Sequence, residues 1–321
     1  MKKILTIILS IALLFQFSAC NSQTEETPVI RVSGAWALYP MMLVWADAYA
    51  ETHNVEFEIG GGGAGKGMSD VLNGQVDIGM VSRPVKEEEL EQGAFHIAVA
   101  KDTVIGIVNE KNPVYNQIIQ YGLSQEGLRK IFMKEVTEWG ELFDMELEDD
   151  TIVVYARSDS SGAASVWATY LGGYTEADLQ NASDANVSGD QAIASSVLGD
   201  SNAISFTNMN YAYDSETGLY VDGIRPVPID LNDDGVISED EDFYSEKSIF
   251  LDNVAQGVYP SPPTREEYLV ANKAFEGVAK EFVEWILSDE GQSLLAENGY
   301  VALLDDEQQA ESSYLGKGSR D

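Results

Sequence analysis

Three turns rich in glycine or hydroxyl residues constrain this chain most, because each follows an apolar, strand-like run. Val29 to Ser33 leads into Ser33-Gly34-Ala35-Trp36-Ala37, and Tyr39 to Glu51 behind it carries apolar residues at helical spacing. Val55 to Ile59 leads into Gly60-Gly61-Gly62-Gly63-Ala64-Gly65-Lys66-Gly67, a helix begins over Gly67 to Leu72, and Gln75 to Val81 is a further strand. This β-α-β-α-β order predicts a parallel sheet covered by helices. The third turn, Arg157-Ser158-Asp159-Ser160-Ser161-Gly162-Ala163, follows the strand Thr151 to Tyr155 and precedes a helix over Ala163 to Tyr170. Turns of this kind aim backbone N–H groups at a small anion held at a helix N-terminus.

The remaining pattern predicts two α/β lobes. His96 to Val108 reads as two β-branched strands, broken by Ala100-Lys101-Asp102 and meeting at a domain crossing. Ser124 to Phe132 reads as a helix with Ser124 as its N-cap, Thr175 to Asp200 as a loop and a short helix, and Ala203 to Thr207 as a strand. Asp252 to Tyr259 is the expected return crossing, and Glu276 to Leu287 and Glu290 to Asn298 are closing helices. Two crossings are what a hinged clam-shell needs. The expected fold is therefore α/β, with a mixed sheet flanked by helices in each lobe. Residues 29–101 and 258–304 would form lobe I, residues 102–257 lobe II, and 305–321 a flexible tail.

The N-terminus reads as an export signal over residues 1–19: Lys2-Lys3 precedes the apolar run Ile4 to Phe17. That run is short for a membrane span, which needs about 20 residues. Cys20 is the single cysteine, so no intrachain disulfide can form. Its place after Phe17-Ser18-Ala19 resembles a bacterial lipobox, with Phe17 where Leu is usual. Lipidation of Cys20 is expected, with residues 20–28 as a tether; ordinary cleavage near Ala19 is the alternative. The net charge of −35 excludes a general nucleic-acid binder, which needs a basic face. It also repels anions at long range, but salt screens that field within about 10 Å at 0.1 M.

Each turn has a plain structural reading beside a functional one. Gly60, Gly65 and Lys66 fit most of a phosphate-binding P-loop, but Gly67 stands where a Mg²⁺-ligating hydroxyl belongs, which argues against nucleotide hydrolysis. A nest for an anion over Ala64, Gly65 and Lys66 is the preferred reading, and a ligand-free flexible loop is the plain one. In the third turn Arg157 offers a rigid fork for an oxyanion, Ser161 a hydroxyl, and Asp159 a carboxylate to orient Arg157. The plain reading there is an N-cap cluster. Ser82 and Arg83 follow the strand that ends at Val81, where open α/β sheets bind ligands. Residues 230–241 follow the order of a twelve-residue calcium loop. Asp230, Asn232, Asp234, the Val236 carbonyl and Glu241 are the expected ligands of a structural Ca²⁺, against the plain reading of a solvated acidic turn. His53 and His96 lack partners at ligand spacing, and no nucleophile–base arrangement is evident, so no enzyme is expected.

These segments resemble, in matching order, the PstS-like phosphate-binding proteins of ABC transporters. The resemblance runs through Ser33-Gly34 to Tyr39-Pro40, Gly63-Ala64-Gly65-Lys66-Gly67, Val76-Asp77-Ile78-Gly79 with Ser82-Arg83-Pro84, and Arg157 to Gly162. It continues at Tyr259-Pro260, Phe282 to Gln292 and Gly299-Tyr300-Val301. It implies a type II periplasmic-binding fold, phosphate or a related oxyanion as ligand, no required cofactor, and delivery to permease subunits by a monomeric lipoprotein facing the periplasm or cell exterior. By position it implies Arg157, Asp159, Ser161, Gly162 and Ser82 at the anion. The chain departs from the family where hydroxyls are usual: Ala35, Trp36 and Ala37 fill the first turn, Ala64 the second, and Ala163 the third. A non-transport binding or sensing lipoprotein with an altered ligand is the alternative that these departures support.

Overall fold

The computed structural model describes residues 27–320, so the expected signal segment and Cys20 lie outside the described residues. The first unit is the one the glycine turns predict. Strand β1 (Val29–Gly34), helix α1 (Tyr39–Ala50), β2 (Glu56–Gly61), α2 (Ala64–Leu72) and β3 (Ile78–Val81) follow in order. β1 pairs in parallel with both β2 and β3. Pro40 opens α1, where its missing N–H costs no helical hydrogen bond. A short helix, α3 (Glu87–Glu91), then leads to β4 (Ala94–Asn109).

β4 corrects the expectation of two strands. It is one strand of 16 residues, and Ala100-Lys101-Asp102 stay inside it. Its partner is β9 (Thr264–Asn272), which the sequence analysis did not separate from its surroundings. Their antiparallel register shifts between Ala98 and Ala100. Such a bulge bends a strand and frees a backbone group; here the Ala98 N–H donates to Glu311 at 3.1 Å. The first half of β4 joins β3 through β9. The second half pairs with β7 (Ala203–Asn208) and β8 (Ile224–Pro226). β5 (Val153–Arg157) and β6 (Ala185–Val187) complete a nine-stranded sheet.

Helices α4 (Tyr115–Tyr121), α5 (Gln125–Phe132), α6 (Gly162–Tyr170), α7 (Glu176–Ala182), α8 (Asp190–Gly199) and α9 (Lys247–Ala255) cover the second half. Ser124 caps α5 by accepting from the Gly127 N–H at 3.3 Å. The segment 175–200 holds two helices and β6, more structure than a loop and one helix, and Thr175 with Asp178 forms a capping box at the start of α7. The return crossing lies later than expected: Lys247–Ala255 is helical, and the chain passes back into β9 from Thr264.

Two buried apolar clusters form. One holds Trp45, Met80, Leu269 and Phe282, and the other Ile105, Trp139, Trp167, Phe206 and Phe250. We call them lobes I and II; β4 runs through both. Helices α10 (Gly277–Ile286), α11 (Asp289–Ser293) and α12 (Asp305–Lys317) close lobe I. α12 corrects the expected flexible tail. Leu315 is buried in lobe I, and Glu311 pairs with Arg320 at 2.8 Å.

Candidate functional site

The three turns meet where the lobes meet. The Gly63 N–H donates to the Gly34 carbonyl at 3.0 Å, which ties the second turn to the first inside lobe I. The Gly65 N–H donates to the Ser160 carbonyl at 3.3 Å, which ties the second turn to the third across the lobes. Ser82 sits so close to Gly162 that a Cβ on that glycine would overlap both its Oγ and its carbonyl. Only glycine lets the two lobes approach this far. The carbonyls of the first turn are also occupied: Tyr211 donates its hydroxyl to the Trp36 carbonyl at 3.0 Å, and Tyr300 to that of Ala37 at 2.5 Å.

The N–H groups of these turns are not used up. Those of Trp36, Ala37 and Leu38 in the first turn, Ala64 and Lys66 in the second, and Gly162 and Ala163 in the third donate to no acceptor among the described residues. The first turns of helices leave such donors by construction. Three helix-leading turns in contact therefore gather donors suited to an oxyanion. Ser161 acts as the α6 N-cap, its Oγ accepting from the Ala164 N–H at 3.3 Å.

Arg157 lies beneath this assembly, buried at the end of β5. Its Nε and Nη2 donate to the two Asp159 oxygens at 2.8 and 2.6 Å, and its Nη1 to Asp190 at 2.8 Å. Asp159 also accepts from the Gly189 N–H at 3.2 Å. Burial opposes the Asp159 charge, but the bonds and charge of Arg157 outweigh it and hold the carboxyl below its usual range. A guanidinium has five donors, so three are spent and two remain. One cation faces two carboxylates, so backbone dipoles rather than net charge must supply attraction for an anion.

Behind Arg157 a buried polar chain reaches the strands that cross between lobes. Asp190 accepts from Thr207, Asn208 and Arg157. Asn208 accepts from Arg265, which also donates to Asp102 at 3.2 Å and Glu267 at 3.1 Å. Burial raises both acids against the pull of Arg265: Asp102 is pushed up to about 6 and Glu267 well above its ordinary value. The sequence analysis did not foresee Asp190, Asn208, Arg265, Tyr211 or Tyr300. No local motif marks them, because each acts through a partner distant in the chain.

Two expected cations are engaged elsewhere. Lys66 pairs with Asp70 one helical turn on, and Asp70 also accepts from Ser33 at 2.6 Å. Arg83 is buried and makes a two-bond pair with Glu89, at 2.9 and 2.6 Å. The acidic loop likewise differs from a preformed cage. Glu241 accepts from the N–H groups of Leu231 and Ser238, and Asp230 from those of Asp234 and Gly235. Among the described residues no group of three or more His, Cys, Asp or Glu stands ready to hold a metal ion. Asp102 and Glu267 have one oxygen each without a partner, as does Nη1 of Arg265.

A family model for the PBP superfamily domain matches residues 21–290. The phosphate-binding protein PstS of Bacillus subtilis is 25% identical over 292 residues, covering 89% of this chain and 85% of that protein. The PstS of Methanocaldococcus jannaschii is 29% identical over 197 residues, covering 53% of this chain and 50% of its own. A solved structure from Clostridium perfringens, described as a phosphate ABC transporter substrate-binding protein with bound phosphate, superposes with a TM-score of 0.68 at 26% identity. It covers 86% of this chain and all of its own. Matched over most of its length, the chain belongs to the PBP superfamily as a relative of the PstS proteins.

Proposed function

We propose that this protein captures phosphate between its lobes and delivers it to the permease of an ABC importer. One observation carries the reading: seven unspent N–H groups on three helix-leading turns in mutual contact, in a member of this superfamily. The relatives named for phosphate binding support the choice of ion. Arg157, Asp159, Ser161, Gly162 and Ser82 form the floor and the seam of the site. Ala35, Trp36, Ala37, Ala64, Gly65 and Ala163 contribute backbone. Lys66 and Arg83 act at one remove, through Asp70 and Glu89.

Export followed by lipidation at Cys20 completes the reading, with the protein working as a monomer at the membrane surface. No described helix is long and apolar enough to cross a membrane. A structural Ca²⁺ at Asp230, Asn232, Asp234, Val236 and Glu241 is a further part of the proposal, supported by residue order alone. It would have to draw Asp230 and Glu241 away from the N–H groups they now accept.

The test is calorimetric titration of the mature chain with phosphate, sulfate and molybdate, beside Gly162→Ala. Phosphate at 100 times its Kd should add about 2.7 kcal/mol of stability. The added methyl should hold the lobes apart at Ser82 and weaken binding more than tenfold. Binding of another ligand with no response to phosphate would favour the sensing lipoprotein, whose support is the absence of hydroxyls at Ala35, Ala37, Ala64 and Ala163.

A further inference from the structure

Trp36 occupies the first turn, yet its side chain is wedged between the lobes. Its ring lies against Gly61 at the end of β2, where any Cβ would overlap the six-membered ring. Its Nε1 edge faces lobe II, 3.6 Å from where a Cβ of Gly189 would stand. Tyr39 supports the ring edge-on, with centroids 5.7 Å apart, and Tyr211 of lobe II fixes the Trp36 backbone through its carbonyl. Gly61 makes room for the ring on the lobe I side, and on the lobe II side Gly189 approaches its Nε1 edge at ordinary contact distance.

The indole Nε1 is nevertheless buried without a hydrogen-bond partner. An indole N–H can only donate, and a buried donor left unmade is costly, so native structures seldom keep one without a reason. The neighbouring group is Gly189, whose own N–H binds Asp159 on the Arg157 side of the cleft. The orphan donor thus lies beside Gly189, one contact from Asp159 and Arg157, on a residue whose own backbone N–H is also unspent.

We infer that the Trp36 indole N–H is a direct donor to the bound oxyanion, so that this side chain sets anion affinity and couples it to closure of the lobes. The inference rests on the oxyanion reading above. The ligand class is a small tetrahedral oxyanion with an oxygen free to accept once the backbone donors are satisfied. The ring meets Gly61 and Gly189 together only when the lobes are closed, since these glycines belong to different lobes.

The test uses the full mature chain, with the indole resonances of its five tryptophans followed by ¹⁵N NMR as phosphate is added. The Trp36 indole proton should move downfield in step with the binding heat. Trp36→Phe keeps one six-membered ring and removes the N–H; it should fold and weaken phosphate binding about tenfold to a hundredfold, the worth of one hydrogen bond to a charged group. A Trp36 signal that stays still while phosphate binds would overturn the inference, and so would Trp36→Phe binding phosphate as tightly as the unaltered chain. If Trp36→Phe fails to fold, the resonance of the unaltered chain still decides. No binding heat with any oxyanion overturns the functional reading as well, and that result is distinct from a silent Trp36 in a protein that binds.

Discussion

The anion cleft and the acidic loop at 230–241 are both polar turns, yet they use their polar groups in opposite ways. The loop satisfies itself: Asp230 and Glu241 accept from backbone N–H groups no more than ten residues away. The cleft does not. Its seven free N–H groups come from segments up to 127 positions apart, between Trp36 and Ala163, and they find no acceptor within the described residues. A turn that closes its own hydrogen bonds can be stable anywhere on a surface. A set of turns that leaves donors open is stable only where something else holds it, and here the holder is the buried chain from Arg157 to Arg265. The difference separates a locally satisfied motif from a site that waits for a ligand.

The comparison can be broken most strongly at Arg157. Arg157→Ala removes the cation between Asp159 and Asp190 and strands the buried Asp190 carboxylate and the half-buried Asp159 one. Loss of one partner from a buried ion pair costs about 3–5 kcal/mol, so chemical denaturation should show a fall of that order, with phosphate binding lost. If the variant were as stable as the unaltered chain, the floor of the cleft would not depend on this pair.

A second test reads the buried acids behind the cleft. The Asp102 carboxyl is raised from 3.8 to about 6, so its folded form holds a proton more tightly than its unfolded form does. Its contribution to stability is therefore complete below the ordinary carboxylate range and is lost as pH rises through about 6. Glu267 is raised as well and acts in the same direction. Arg265, Asp190 and Lys247 are the charges that face this pair. His96 works the other way: burial lowers it to about 4, so its contribution is lost as pH falls below 6.5. The difference in stability between the unaltered chain and Asp102→Asn isolates the first effect. It should change by about 2 kcal/mol between pH 4 and pH 7, and a flat difference would refute it.

The smallest effect belongs to the loop. Glu241→Gln weakens its charge-assisted bonds to Leu231 and Ser238. Thermal unfolding should show a loss of about 1 kcal/mol, with phosphate affinity unchanged. Calcium that raises the melting temperature of the unaltered chain but not of Glu241→Gln would turn the loop from a self-satisfied turn into a metal site. The same contrast would then hold between a cation staple and an anion cleft.

Much of this was legible in residue order. The β-α-β-α-β run, the helix after Ser124 and the glycine nest are local signals: alternation, a capping serine, and glycines where backbones come close. The third turn was legible because Arg157, Asp159 and Ser161 lie within five residues of one another. β9 escapes the sequence because Thr264–Asn272 shows no apolar alternation: two of its buried positions are the charged Arg265 and Glu267, and only pairing with β3 and β4 makes it a buried strand. The segment 305–321 reads as a flexible tail because its acidic residues hide a narrow apolar side. Leu315 and the reach of Glu311 to the Ala98 bulge decide that it folds back.

The sequence by itself determined the α/β class, the three turns that carry unspent N–H groups, and the acidic loop, because each of these depends on residues within about a dozen positions. The tertiary structure alone decided that Lys66 and Arg83 are already paired, that Arg157 is shared between Asp159 and Asp190, and that Trp36 is held between Gly61 and Gly189. Those outcomes depend on which distant groups compete for each donor in the closed fold, and that competition has no counterpart in the order of residues along the chain.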